Sequence, residues 1–170
     1  MSSSRLRVGI LGAGAWARFA HIPGWQRDPR AEVVAIADVD PDAAHDVARE
    51  FGIPEATADW QALVARDDLD VIDVVTPSHT HFELSRAAIE AGKHVLCEKP
   101  VAYDERDTLA LPETAPERGI ELGGGGGEGP GFVQSDDRAV RALARGRAAD
   151  GVETHALFLR YRWWAAVVAR

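Results

Sequence analysis

The sequence predicts a doubly wound α/β sheet, and three observations predict it. Short apolar runs rich in β-branched residues alternate with helix-length segments from residue 5 to 100. The first run leads straight into a glycine-rich turn, Gly12-Ala13-Gly14, that opens a helix. The second run ends on an acid, Asp38, twenty-four residues beyond Gly14. Strands separated by helices pair in parallel through right-handed crossovers, which is the doubly wound arrangement.

Each element has its own signal. Arg5–Leu11 is a short apolar strand, and the helix after the glycines runs toward Trp25. Ala31–Ala37 (AEVVAIA) is the second strand. Asp40 and Pro41 then supply an N-cap and a proline at the first helical position; Ala44, Val47, Ala48 and Phe51 share one face, and Gly52 closes the helix. Asp59 caps a short helix through Val64. Val71–Val75 (VIDVV) is a buried-type strand, His81–Ala91 a helix stopped by Gly92, and His94–Cys97 a further strand.

Past residue 100 the pattern weakens. Pro112 and Pro116 interrupt the helical spacing of Asp104–Arg118. Seven of the chain's sixteen glycines then fall within residues 123–131, which reads as a flexible linker. Asp137–Arg147 regains helical spacing, and Val152–Trp164 alternates as a strand does. The expected organisation is a dinucleotide-binding domain over 1–122, a glycine-rich linker over 123–136, and a helix-plus-strand remnant of a second α+β domain over 137–170. A lone helix and strand make no core of their own, so this end is expected to pack on the first domain, pair with another chain or stay exposed. In the second case residues 152–164 are the surface for a homo-oligomer.

Composition narrows the function. Apolar residues make up 46% and charged residues 27%, with a net charge of −8, which describes a globular chain and disfavours a polyanion binder. The seven arginines against two acids in 138–170 read as a solvated helix face, and no nucleic-acid module accompanies them. Cys97 is the single cysteine, which excludes an intrachain disulfide and a cysteine-based zinc site and fits a reducing cytoplasm. No run approaches the ~20 apolar residues of a membrane span. No metal is expected.

The chemistry lies in the turns. A dinucleotide pyrophosphate needs backbone N–H groups aimed at it and no side chain in the way. Gly12 permits the tight turn, Gly14 lets a phosphate approach the helix N-terminus, and Ala17 allows close packing of helix on sheet. A carboxylate at Asp38 can accept both ribose hydroxyls; a strand-end acid capping a turn is the alternative. Thr76-Pro77 and Glu98-Lys99-Pro100 follow the later strands and line the same crevice. A lysine there can stabilise the charge developing on a substrate oxygen, whereas a surface lysine at a strand end is the plain alternative.

The segments GILGAGAWA, ADVDPDAA and TPSHTHFELSRAAIEAGKHVLCEKPVA resemble the Gfo/Idh/MocA family of NAD(P)-dependent oxidoreductases, which act mostly on sugars, polyols and their derivatives. The resemblance implies an N-terminal Rossmann domain followed by a larger sheet domain. It implies that Gly12, Gly14, Ala15 and Trp16 hold the pyrophosphate and that Asp38 binds the adenosine ribose. Thr76, Pro77 and His81 would line the middle of the cofactor site, and Glu98 would approach the nicotinamide ribose. Lys99 would be both a cofactor contact and the catalytic lysine, with a cis Lys99–Pro100 bond aiming it into the crevice. His21 and His79 are read as structural or surface residues. NAD is the expected cofactor, NADP being disfavoured by Asp38.

Family members continue well beyond residue 170, and no D-x-x-x-H motif, which would complete the catalytic site, follows Lys99. The resemblance therefore implies a chain truncated in its C-terminal domain, with the cofactor half present and the catalytic half incomplete. A non-catalytic NAD-binding sensor or docking module, and an inactive truncated product, are the alternatives.

Overall fold

A computed structural model describes residues 5–98 and 122–124. They form one six-stranded sheet. Its strands are β1 (Leu6–Leu11), β2 (Ala31–Ala37), β3 (Glu55–Thr57), β4 (Val71–Val74), β5 (His94–Cys97) and β6 (Leu122–Gly124). Their spatial order is β3-β2-β1-β4-β5-β6, and every neighbouring pair is parallel. The order reverses at β1, so the crevice between the carboxyl ends of β1 and β4 is the switch point where such sheets bind ligands.

The helices begin and end where the sequence marks them. α1 (Ile22–Arg27) follows a π-helical turn over Ala17–His21, closed by a hydrogen bond from the Ile22 N–H to the Ala17 carbonyl. α2 (Pro41–Phe51) is capped by the Asp40 carboxylate, which accepts from the Asp42 and Ala43 N–H groups, and ends on left-handed Gly52. α3 (Trp60–Val64) is capped by Asp59 through the Ala62 N–H. α4 (His81–Glu90) follows a single 3₁₀ turn over Ser78–Thr80.

Two apolar layers cover the sheet. Val8, Ile10, Val33, Ile36, Val71 and Val75 pack under Ala17, Ile22, Trp25 and Val47 on one face. Leu11, Val34, Ala35, Ile72, Val74 and Val95 pack under Leu63, Leu84, Ala88 and Ile89 on the other. Alternation along β1 and β4 divides their side chains between the layers. In β2 a bulge opposite Val8 and Gly9 puts Val34 and Ala35 on the same face, and because both faces are covered the run VVAIA is apolar throughout.

Three features differ from expectation. The short strand β3 and the 3₁₀ turn carry too few residues for any periodicity to register. Gly123 and Gly124 lie inside the stretch read as linker, yet they belong to β6 and pair with Leu96 and Cys97. Strand pairing uses only backbone N–H and C=O groups, which glycine supplies as any residue does. The linker beyond Gly124, the helix and strand expected over 137–164, Lys99 and the Lys99–Pro100 bond lie outside the described residues.

Candidate cofactor site

At the carboxyl ends of β1 and β2, the glycine turn and Asp38 hold one another. Gly12 has a φ of +108°, and a Cβ on it would lie 2.6 Å from the Val75 carbonyl oxygen. Only glycine combines that backbone with so close a neighbouring strand. Gly14 has open space for 4 Å around the position of a Cβ. That gap, at the start of helical winding that runs from Ala15, is the room a phosphate needs. The Asp38 carboxylate accepts from the Ala13 N–H at 2.7 Å and from the Asp40 N–H at 2.9 Å. An ionised carboxylate has about four acceptor positions, so two N–H groups leave capacity for sugar hydroxyls. The residues here thus fit an adenosine diphosphate moiety in shape and in donor chemistry.

A second cluster lies at the ends of β4 and β5. Asp73 is fully buried in the middle of β4, on the face covered by α1. A buried carboxylate requires donors, and helical winding supplies them. The Trp25 indole N–H donates to Asp73 at 2.7 Å, and His21 Nδ1 lies 3.0 and 2.9 Å from its two oxygens. The other ring nitrogen of His21 is 2.8 Å from Glu98 Oε1, which also accepts from the Trp16 indole N–H at 2.8 Å. Burial alone would lower the His21 pKa, but the charges and hydrogen bonds of Asp73 and Glu98 outweigh it, and the pKa is pushed up to about 10. His21 is therefore an imidazolium at neutral pH, between two carboxylates.

Several expected site residues sit differently from their reading. His81 is buried, and its Nε2 bonds the Thr76 carbonyl oxygen at 2.8 Å. Expected to line the cofactor site, its ring instead lies under the Thr76–Pro77 turn, because α4 begins on it and packs that first residue against the sheet. The Thr76 and Thr80 hydroxyls bond at 2.7 Å, which ties the turn to the next helix, and Pro77 is exposed. Trp16 offers its backbone at the helix entrance while its indole reaches across to Glu98. His21, read as structural or surface, is buried and stands at the centre of the second cluster. The signal that could have found it is Asp73: a lone acid within the strand VIDVV must have partners.

The amino ends of β1, β4 and β5, opposite the site, are closed by their own contacts. The Lys93 ammonium donates to the Arg66 and Leu69 carbonyls, Arg7 pairs with Asp68, and Asp70 accepts from the Arg7 N–H. Among the described residues no three His, Cys, Asp or Glu side chains are grouped to hold a metal. No described helix is long and apolar enough to cross a membrane.

Comparison with known proteins decides the lineage. Residues 6–123 match the family described as the Gfo/Idh/MocA oxidoreductase family, NAD-binding Rossmann fold. The chain belongs to that family. Levoglucosan dehydrogenase of Pseudarthrobacter phenanthrenivorans is 34% identical over 122 residues, covering 68% of this chain and 31% of that protein. D-glucoside 3-dehydrogenase of Escherichia coli is 35% identical, covering 72% of this chain and 35% of its own. Among solved structures, the 3-ketoreductase KijD10 from Actinomadura kijaniata, in complex with NADP and TDP-benzene, superposes with a TM-score of 0.69 at 36% identity. That match covers 72% of this chain and 37% of KijD10. GenD2 from gentamicin A biosynthesis, in complex with NAD, gives a TM-score of 0.68 at 31% identity, covering 72% of this chain and 34% of its own. This Gfo/Idh/MocA chain thus spans about a third of the length of the relatives it matches, and the shared part is the NAD-binding Rossmann domain.

Proposed function

We propose that this chain is the cofactor-binding part of an NAD-dependent oxidoreductase that transfers hydride to or from a sugar, a polyol or a derivative. The observation that carries the reading is the mutual bracing of the glycine turn and Asp38 at the switch point of the sheet. Gly12, Gly14, Ala15 and the Trp16 backbone hold the pyrophosphate, and Asp38 holds the adenosine ribose. Thr76 and Pro77 flank the centre, with His81 acting through the Thr76 carbonyl, and Glu98 takes the nicotinamide ribose. Bound NAD supplies the hydride chemistry. Lys99, next along the chain from Glu98, is the residue for contact with the cofactor and the substrate oxygen, where an ammonium favours developing negative charge.

The cofactor is NAD rather than NADP. A 2′-phosphate would meet the Asp38 carboxylate, and two such charges ~4 Å apart repel by ~4 kcal/mol at an effective dielectric of 20. Arg18 is paired with Glu50, and Arg5 is paired with Glu32 near the amino end of β2, so each already serves a carboxylate. The single cysteine, which allows no intrachain disulfide, supports a cytoplasmic location. Residues 152–164 are the proposed surface for self-association.

Calorimetric titration with NAD⁺ and with NADP⁺ tests the cofactor reading. NAD⁺ is expected to bind more tightly, and Asp38→Ala to narrow the gap. Equal affinities in the unmodified chain would overturn the preference, and no binding of either would overturn the function.

A further inference from the structure

Beside the cofactor site lies a costly arrangement that nucleotide contact does not require: His21 set between the carboxyl groups of buried Asp73 and of Glu98. Two carboxylates meet one imidazole there, and hydrogen-bond geometry determines its protons. Asp73 receives the Trp25 indole N–H and faces His21 Nδ1 with both oxygens, so Nδ1 carries a proton. Glu98 Oε1 already accepts from Trp16, so the ring nitrogen beside it also carries one. A neutral ring has only one N–H and would turn a lone pair toward one of the two carboxylates. The wide π-helical turn ends at His21, which lies one α-helical turn before Trp25, so both side chains reach Asp73. Among the described residues, Asp73 and Glu98 are the charged groups facing the ring. The nearby Cys97 thiol stays protonated, burial pushing its pKa up to about 12.

We propose that His21 is the positioning residue for the nicotinamide side of the cofactor site: protonated on both ring nitrogens, it ties Glu98 to Asp73 and presets the Glu98 carboxylate to accept from the ribose beside the nicotinamide. The inference rests on the NAD-binding reading. Asp73 supplies the fixed point because it belongs to β4 and is completely buried. Trp16 holds the same Glu98 oxygen from the glycine turn, so the two ends of the site share one acceptor. Preset acceptors bind without the loss of side-chain freedom that a mobile glutamate would incur.

The test uses the full 170-residue chain. NADH and AMP affinities are measured by fluorescence and calorimetry for the unmodified chain, His21→Gln, Glu98→Gln and the double variant. His21→Gln is expected to weaken NADH roughly tenfold, the usual scale for one charge-assisted hydrogen bond. It should leave AMP affinity unchanged and add little in the Glu98→Gln background. Nitrogen NMR of the unmodified chain should show both ring nitrogens of His21 protonated at pH 7, whatever the variants do. Unchanged NADH affinity in His21→Gln, equal loss of NADH and AMP, or a neutral ring at pH 7 would overturn the inference. Each of those can occur while the unmodified chain binds NADH normally. Failure of the unmodified chain to bind either nucleotide would instead remove the NAD-binding reading, and the inference with it.

Discussion

At the ends of β1 and β2 the glycine turn and Asp38 hold each other through backbone N–H groups, whereas the Asp73–His21–Glu98 cluster at the ends of β4 and β5 is joined side chain to side chain. The first half needs Gly12, Ala13, Gly14 and Asp38, whose spacing is set by a single strand–helix–strand unit. The second half joins Trp16, His21, Asp73 and Glu98, residues up to 82 positions apart. Backbone donors come with the fold and tolerate most side-chain changes. A side-chain cluster is stable only while every member is present. The two halves should therefore break in different ways.

The largest effect belongs to Asp73. Asp73→Ala removes the larger partner of a buried imidazolium and leaves the Trp25 N–H without its acceptor. Breaking such a pair costs about 3–5 kcal/mol, read as the shift in a urea unfolding midpoint. A loss under about 1 kcal/mol would show that water reaches the cluster easily.

Gly12→Ala comes next and probes the first half. A methyl group 2.6 Å from a backbone oxygen, on a residue with φ of +108°, cannot be accommodated by a side-chain rotation. The expected destabilisation is about 2–4 kcal/mol, from backbone strain and crowding together.

Proton linkage separates the halves again. The folded pKa of His21, about 10, lies above its ordinary value of 6.5. Its contribution is fully present below pH 6.5 and is lost as pH rises through about 10. Between pH 7 and 8.5 stability should fall with pH, by at most about 1.4 kcal/mol per unit for one proton. Urea titrations at several pH values should show that slope in the native chain and a flatter one in His21→Gln. An identical slope in both would place the linked proton elsewhere. Cys97 contributes with the same sign only above its ordinary value of 9.0, outside that window.

These differences also govern what could be read before folding. Gly12, Gly14 and Asp38 were legible because a turn, a helix start and a strand end lie in one local pattern. So were the caps at Asp40, Asp59 and Gly52, whose partners are a few residues away. His21 was not legible: its partners stand 52 and 77 residues along the chain, and nothing local distinguishes it from a surface histidine. His81 misled because position in a motif says nothing about which way a ring turns once a helix packs. Gly123 and Gly124 misled because composition describes side chains, while strand pairing uses backbone groups.

The smallest effect on stability is expected at Gly14. No atom lies within 4 Å of an added methyl group, so Gly14→Ala should change stability by less than about 0.5 kcal/mol. The methyl group nonetheless occupies the space of the phosphate, and NAD⁺ affinity should fall at least about tenfold, or 1.4 kcal/mol. Unchanged affinity would place the pyrophosphate away from this turn.

Whether the two halves form one site is tested most directly by following backbone amide and indole resonances during an NAD⁺ titration, with AMP as the comparison. NAD⁺ should shift the amides of Gly12 to Trp16 and of Asp38 together with the Trp16 indole N–H that bonds Glu98, all saturating at one concentration. AMP should shift the glycine-turn and Asp38 amides while leaving that indole in place. Separate saturation of the two sets under NAD⁺, or no saturable shift at millimolar nucleotide, would contradict a single dinucleotide site spanning β1 to β5.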